Sequence, residues 1–399
     1  MRKHIVNTVF WFISFLLSHV MAVVSVADEA SQHNLAGLEI TDQKVQSIGQ
    51  DLEYIEDTND EYSFEQILKL DAKNWQKSLV PTPNFGYTDS SYWFRISLQA
   101  ADQGLDKLLS IQYALLDHIE LYITDNGQLI KTYITGDTFK FSQRPIRHRD
   151  FLFPIQFAAN QRLELYLKVK TEGSLQVPIT LWERDQFIWQ DQDEQFVKAI
   201  YYGMLLLLVV YNLFLFMSIQ ERSYLYYGGL VVSVLVLMSG SHGFLYQYLY
   251  PGSPLVHKLS MLLAVPSVML FAGLFASYFL SLSHVAPRLN KLVYFFNLLF
   301  SISIICAFFL PYDISTRISV FLAIPSSFVI MFAGPYAWSK GQRSARYFTY
   351  AWAFLITGIV ISASSKFGFL PRNIFTEHAL SLGSAIEALL LSFALADRF

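Results

Sequence analysis

Hydrophobic positions follow two different patterns along this chain of 399 residues. In the first half, apolar and polar residues alternate over short stretches. In the second half, apolar residues run on for about 20 positions at a time. Alternation is typical of half-buried β-strands, whereas runs of that length are typical of helices that cross a bilayer. The change falls near residue 197, where the stretch VKAIYYGMLLLLVVYNLFLFMS begins.

The alternating half predicts a β-sandwich. Tyr92, Phe94, Ile96 and Leu98 share one face of a predicted strand, and residues 119–123 and 163–169 alternate in the same way. Asp125-Asn126-Gly127 predicts a hairpin with a returning strand at 130–134. Ser63 and Gln66 match a capping box and predict a helix over 63–79. Several short strands, each with one apolar face, favour a jelly-roll sandwich over residues 28–190.

The apolar half predicts seven membrane-spanning helices within residues 191–399. The fold class is therefore a membrane protein with an N-terminal all-β jelly-roll sandwich followed by an all-α seven-helix transmembrane bundle. Short loops separate the predicted spans, which lie at roughly 197–218, 224–248, 256–280, 289–310, 315–337, 346–365 and 376–396.

Both ends of the chain bear on its orientation. Residues 1–27 have the charged start, apolar stretch and Ser-Val-Ala end of a secretory signal peptide, and an uncleaved signal anchor is the alternative. Either one places the sandwich outside the cytoplasm. The cluster of Lys340, Arg343 and Arg346 then falls in a cytoplasmic loop, as the positive-inside rule requires. The C-terminus is therefore expected in the cytoplasm.

Composition narrows the class of protein further. Residues 28–196 hold 27 acidic against 15 basic side chains, a balance that argues against nucleic acid or anionic lipid as a partner. The single cysteine, Cys306, lies in an apolar run. Hydrolase, phosphate-loop and metal-ligand motifs are missing from the sequence, so we expect no enzyme activity, no cofactor and no metal in this chain. A receptor is the simplest remaining class.

Three residues of the membrane half are candidates for signal transduction. Glu387 is an acidic residue deep inside a predicted span, where an ionisable group is costly unless it is paired or protonated. Its alternative function is structural, as a neutral side chain hydrogen-bonded to Asn212 or to a tyrosine. His242 lies near the outer end of the second span, where a packed histidine is favoured over a metal ligand.

Five residues of the sandwich are candidates for ligand binding. Trp93 and Arg95 share the face opposite the apolar residues of their strand, and Arg144, Arg147 and Arg149 cluster in SQRPIRHRD. An exposed indole beside arginines can stack on a sugar ring and bind its hydroxyls. The alternative is that Trp93 packs beneath a loop while the arginines pair with the many carboxylates.

The chain resembles the bacterial seven-transmembrane receptors with diverse intracellular signalling modules (7TMR-DISM), with the second type of extracellular domain. In the membrane half, the resemblance rests on YGM through YNL and RSYLYY (202–227), on GFLYQYLYP (243–251), and on GSAIEALLLSFALADR (383–398). In the sandwich it rests on Tyr92-Trp93-Phe94-Arg95, Leu116-Asp117 with Leu121-Tyr122, Gly136-Asp137, and the segment 144–153.

The resemblance implies a receptor of the bacterial inner membrane whose periplasmic domain is similar to carbohydrate-binding modules. Its implied partners are a periplasmic small molecule, carbohydrate or protein, the lipid bilayer, and a cytoplasmic output module such as a diguanylate cyclase or histidine kinase. That output is missing from these 399 residues, so the chain is expected to be a fragment or to signal through a separate partner; a homodimer fits the family's outputs. The rival hypotheses are a membrane scaffold that holds another protein, and a transporter or enzyme with a lectin-like accessory domain.

Overall fold

The computed structural model describes residues 38–40, 44–102, 104–366, 370 and 374–396. The signal-peptide prediction for residues 1–27 lies outside this range. Within it, the chain forms a sandwich of strands up to Glu183 and a bundle of long helices from Arg184 onward. The predicted fold class is confirmed.

Thirteen strands are described in the sandwich. They are β1 (Leu38–Ile40), β2 (Val45–Ser47), β3 (Glu53–Asp57), β4 (Gln76–Lys77), β5 (Asn84–Tyr87), β6 (Ser91–Ala100), β7 (Leu105–Ile111), β8 (His118–Asp125), β9 (Gln128–Thr135), β10 (Phe151–Phe157), β11 (Arg162–Lys170), β12 (Ser174–Gln176) and β13 (Ile179–Glu183). One sheet has the order β4-β3-β6-β11-β8-β9, with β1 added parallel to β6, and the other has the order β10-β7-β13-β2. The pair β12-β5 forms a small third sheet.

The apolar faces of the two larger sheets meet in one core. Phe94, Leu121 and Leu165 from the first sheet pack with Phe153 and Leu181 from the second. The predicted hairpin is confirmed between β8 and β9, where Asn126 and Gly127 both adopt positive φ, at 47° and 78°. That conformation matches the twist of the flanking strands and is the reason for the Asn-Gly pair.

Within the described residues, the bundle contains seven long helices. They are α1 (Arg184–Ile219), α2 (Arg222–Ser241), α3 (Pro254–Phe279), α4 (Pro287–Cys306), α5 (Tyr312–Ser339), α6 (Ala345–Lys366) and α7 (Ile374–Ala396). By length and composition, six of them can cross a bilayer within the described residues, and α6 adds a shorter apolar stretch, Ala345–Ile361. Short helices also lie at Phe64–Ile67, Phe244–Tyr248 and Leu282–Val285.

Helix α1 continues the sandwich without a linker, because β13 ends at Glu183 and α1 begins at Arg184. Its 36 residues span about 54 Å, well beyond the ~30 Å hydrocarbon core. The first 13 residues, before the apolar run at 197, therefore stand outside the membrane. Hydropathy could not detect this extension, since it carries Asp191 and Glu194 among its polar side chains.

Two predicted helices end earlier than expected. The capping box of Ser63 and Gln66 is present, but its helix is a single turn, Phe64–Ile67, instead of a helix over 63–79. Asp71 takes an extended conformation after this turn. The second membrane helix ends at Ser241 rather than near 248, because Gly243 has φ +76° and turns the chain into a separate short helix.

Candidate functional site at the domain junction

The structure buries the tryptophan proposed to bind sugar. Trp93 is 1% exposed, beneath Ile67 and Trp75 from the segment that precedes β5. Arg95 is also buried, 2.7 Å from the Glu53 carboxylate and stacked over the Trp75 ring at 4.3 Å. Trp93 therefore presents no exposed indole on which a sugar ring could stack. Its strand, β6, lies inside the sheet, and both of its faces are covered.

The three clustered arginines have three different environments. Arg147 is exposed. Arg144 is buried over the ring of Phe151 at 4.2 Å and donates to the backbone carbonyls of His148, at 2.9 Å, and Arg149, at 2.5 Å. Burial lowers the Arg144 pKa to about 10. Arg149 faces the first helix of the bundle. Arg144 and Arg149 are thus structural parts of a junction between the domains, a correction to their assignment as an exposed ligand cluster.

Arg149 joins the sandwich to the outer segment of α1, residues 184–196. Its guanidinium lies 2.6 Å from Asp191 and 3.3 Å from Glu194, and its side chain is 2% exposed. His148 Nε2 lies 3.1 Å from the same Asp191 carboxylate. Arg149 also sits over the Phe244 ring at 5.1 Å, so it contacts the connection between α2 and α3 as well.

Further polar contacts tie the sandwich to the sandwich-facing ends of other helices. The Phe141 amide donates to the Pro251 carbonyl at 3.0 Å. On α3, Lys258 pairs with Glu172 at 2.7 Å. On α5, Arg317 pairs with Asp89 at 2.8 Å, in an exposed position. The Tyr246 hydroxyl donates to the Phe139 carbonyl. The sandwich therefore rests on α1, on the α2–α3 connection, on α3 and on α5.

Two carboxyl groups of the sandwich meet at this junction. Asp117 precedes β8 and Asp137 follows β9, and the two side chains line the same cavity. Gly136 allows this approach, since a Cβ there would lie 1.9 Å from the Asp117 carbonyl oxygen. Burial, with a further contribution from Asp117, raises the pKa of Asp137 well above its ordinary value. Thr171 also donates to Asp117, at 2.9 Å.

The carboxyl pair lines a cavity of about 70 Å³ between the sandwich and α5. Three tyrosines and a threonine supply much of the remaining polar wall. Its residues include Tyr87, Tyr113, Asp117, Asp137, Tyr312 and Thr316. Two of these come from α5 and the others from the sandwich, so the cavity exists only while the two parts are docked.

Glu387 lies where α7 meets α1 and α2. Its side chain is 8% exposed and lines a cavity of about 10 Å³ together with Tyr227 and Ser384. That volume is about what one water molecule needs. Beside it, Tyr201 of α1 and Ser384 are hydrogen-bonded at 2.8 Å, and the Tyr227 hydroxyl of α2 donates to the Ala388 carbonyl. Both tyrosines are within electrostatic reach of Glu387.

The other two transduction candidates lie elsewhere in the bundle. Asn212 is buried and donates to the Leu208 carbonyl of its own helix at 2.8 Å, and it packs near Gly228. His242 follows α2, and its Nδ1 lies 2.5 Å from the Tyr202 hydroxyl. Among the described residues, no cluster of three potential metal ligands occurs.

Sequence reasoning missed the residues that assemble the junction. Asp117 and Asp137 stood in the motifs that carried the family resemblance, but nothing in the linear sequence indicates that they meet. Asp191, Tyr201 and Tyr312 gave no local signal at all. The partners of these side chains lie on other elements, so only the tertiary structure brings them together.

A β-sandwich head docked on seven apolar helices defines a membrane-spanning protein with an extracellular-type domain. The family model for 7TM diverse intracellular signalling (7TMR-DISM_7TM) matches residues 194–398, and that for 7TMR-DISM extracellular 2 matches residues 49–183. The chain belongs to the 7TMR-DISM family, and the predicted resemblance is confirmed. These domains are those of a transmembrane receptor. A search of curated proteins found no significant match.

Proposed function

We propose that this protein is a signalling receptor of the bacterial inner membrane. The sandwich faces the periplasm and binds a ligand. The bundle transmits the resulting conformational change to a cytoplasmic output module such as a diguanylate cyclase or histidine kinase. The observation that supports this most strongly is the unbroken connection from β13 into α1. A rigid helix fused to a strand moves when the sandwich moves.

The route from α1 to the cytoplasmic end of α7 passes through the contacts beside Glu387. Tyr201 of α1 is hydrogen-bonded to Ser384 of α7 at 2.8 Å. On its other side, α7 packs closely on α6, since a Cβ at Gly383 would lie 2.8 Å from the Phe354 carbonyl oxygen and one at Gly358 would lie 2.5 Å from the Ala379 carbonyl oxygen. We propose that α6 and α7 move as a pair and that Tyr201 couples them to α1.

Ligand binding can bias the bundle only by the difference in its affinity for two packings of the helices. A ligand seated between the sandwich and α5 satisfies this condition, because its site changes whenever the docking changes. A ligand bound far from the junction would need a second step to reach the helices. The junction is therefore the proposed point of control.

The proposal is tested by measuring distances at the cytoplasmic end of the bundle. In a Cys306→Ser background, spin labels are placed at Ser339 at the end of α5 and at Phe393 near the end of α7, both exposed sites. We expect Arg149→Gln to shift or broaden the distance by about 1–2 Å, the size of typical helix shifts in signalling. Arg147→Gln, from the same cluster but exposed, is the matched control.

A second variant tests the route. In Arg149→Gln combined with Tyr201→Phe, we expect the shift at α7 to shrink, because the hydroxyl that joins α1 to Ser384 is removed. If Arg149→Gln loosens α1 and the α7 distance stays as in the wild type, the sandwich does not signal through the bundle and a scaffold function is favoured.

A further inference from the structure

The junction cavity has a size that selects small ligands. Its volume of about 70 Å³ is roughly half that of a cavity that holds benzene. A hexose ring with its hydroxyl groups is larger than benzene and exceeds this volume. A group of a few non-hydrogen atoms does.

The chemistry of the wall favours a positive charge. Asp117 and Asp137 bring two carboxyl groups, and Tyr87, Tyr113 and Tyr312 bring three aromatic rings. Carboxylates attract a cation by charge, and tyrosine rings attract it through their negative faces. An ammonium already occupies one such position, since Lys258 Nζ lies 5.0 Å from the centre of the Tyr312 ring. That lysine is held by Glu172 at 2.7 Å.

A second, independent observation is a buried histidine without hydrogen bonds beside Asp137. His257 of α3 is 2% exposed, and its Nε2 points at Asp137 Oδ2 from 3.7 Å. Within the part of the chain that the structure describes, neither ring nitrogen of His257 has a hydrogen-bond partner. A buried polar group without a partner is costly. A ligand N–H placed beside His257 would satisfy the acceptor nitrogen of its neutral imidazole.

We infer that this cavity binds a small organic cation, an amine or ammonium group carrying a few carbon atoms. The carboxylates of Asp117 and Asp137 hold the charge, and the rings of Tyr113 and Tyr312 pack around the carbon atoms. The inference rests on the proposed receptor function and names its ligand class. Because the site is shared by the sandwich and α5, the bound cation stabilises the docked arrangement.

Cation binding must be linked to proton release. Burial and the neighbouring Asp117 raise the pKa of Asp137, and a cation bound beside Asp137 favours its ionised form. The ligand therefore binds more tightly as the pH rises and Asp137 ionises. The titratable and charged groups around Asp137 come from several elements: Asp117, Tyr113 and Arg144 of the sandwich, Tyr246 of the α2–α3 connection, His257 and Lys258 of α3, and Tyr312 of α5.

The test uses the full chain in lipid nanodiscs and isothermal titration calorimetry with ethylammonium chloride, with glucose as the neutral comparison, at pH 6 and pH 8. We expect saturable binding of ethylammonium that is tighter at pH 8, and no binding of glucose. Asp137→Asn, which keeps the shape of the side chain, should weaken binding at least tenfold. Asp185→Asn changes an exposed carboxylate on α1 and should leave binding unchanged.

Three results would overturn the inference: no saturable binding by the wild type, equal binding by Asp137→Asn, or competition by glucose. The wild type and Asp137→Asn are compared by circular dichroism and thermal unfolding, so that a folding defect is recognised; Tyr312→Ala gives a second loss-of-binding variant on the opposite wall. Failure here is distinguishable from failure of the receptor proposal. If ethylammonium does not bind but Arg149→Gln still moves α7, the receptor stands and only its ligand class is wrong.

Discussion

Replacing Arg149 by glutamine is the most informative single perturbation of the junction. The substitution keeps a side chain that can donate hydrogen bonds and removes the positive charge between Asp191 and Glu194. Removing one partner of a buried ion pair costs ~3–5 kcal/mol. The lower end applies, because the carboxylates of Asp191 and Glu194 are 12% and 27% exposed and retain His148 and Lys198 as neighbours.

A loss of about 3 kcal/mol corresponds to roughly a hundredfold change in an equilibrium constant. The docking of the outer segment of α1 is the contact that opens, so the change should appear in amide hydrogen exchange of residues 184–197. We expect exchange there to be about a hundredfold faster in Arg149→Gln, with the core strands of the sandwich protected as before. Arg147→Gln should change exchange by no more than about twofold, as exposed substitutions usually do.

A second substitution tests the cause of this effect. In the double variant Arg149→Gln and Asp191→Asn, the unpaired carboxylate is neutralised, so part of the protection should return. Wild-type exchange rates in Arg149→Gln would refute the reasoning, because they would mean that the ion pairs do not hold α1 against the sandwich. Equal acceleration in Arg147→Gln would refute it as well.

Three further predictions concern the carboxyl pair and the buried glutamate. Gly136→Ala should destabilise the sandwich by about 2 kcal/mol in denaturant unfolding, because the new Cβ meets the Asp117 carbonyl, whereas Gly173→Ala, with ordinary contact distances, should be near neutral. The raised pKa of Asp137 makes the folded state bind the proton more tightly, so the thermal midpoint should fall as pH rises from 4.5 to 8, and Asp137→Asn should flatten this slope. Glu387→Gln should leave expression intact and change the Ser339–Phe393 distance distribution; an unchanged distribution would reduce Glu387 to packing.

Much of the fold follows from local sequence patterns. The Asn126-Gly127 hairpin and the strands on either side depend on neighbouring residues alone, and each long apolar run becomes a helix. The exposure of Trp93 could not be predicted in this way. Alternation shows that a strand has two faces, but the element that covers the second face, here Ile67 and Trp75, comes from a distant segment.

The junction could not be predicted from the sequence for the same reason. Arg149 was recognised as part of an arginine cluster, yet its partners Asp191 and Glu194 lie on a polar helix that extends an apolar one. The cavity combines Tyr87 with Tyr312, more than 200 positions apart in the chain. Sequence patterns indicate which surfaces are polar, but only the tertiary structure shows which residues those surfaces contact.

A signal can cross the membrane through this protein only if the sandwich and the far end of the bundle lie on opposite sides of it. In a Cys306→Ser background, Asn126→Cys places a thiol at the exposed β8–β9 hairpin and Ser339→Cys places one at the end of α5. A membrane-impermeant maleimide applied to intact spheroplasts should label Asn126→Cys at once and Ser339→Cys only after the membrane is permeabilised. Labelling of both sites in intact spheroplasts would contradict a signal carried across the bilayer.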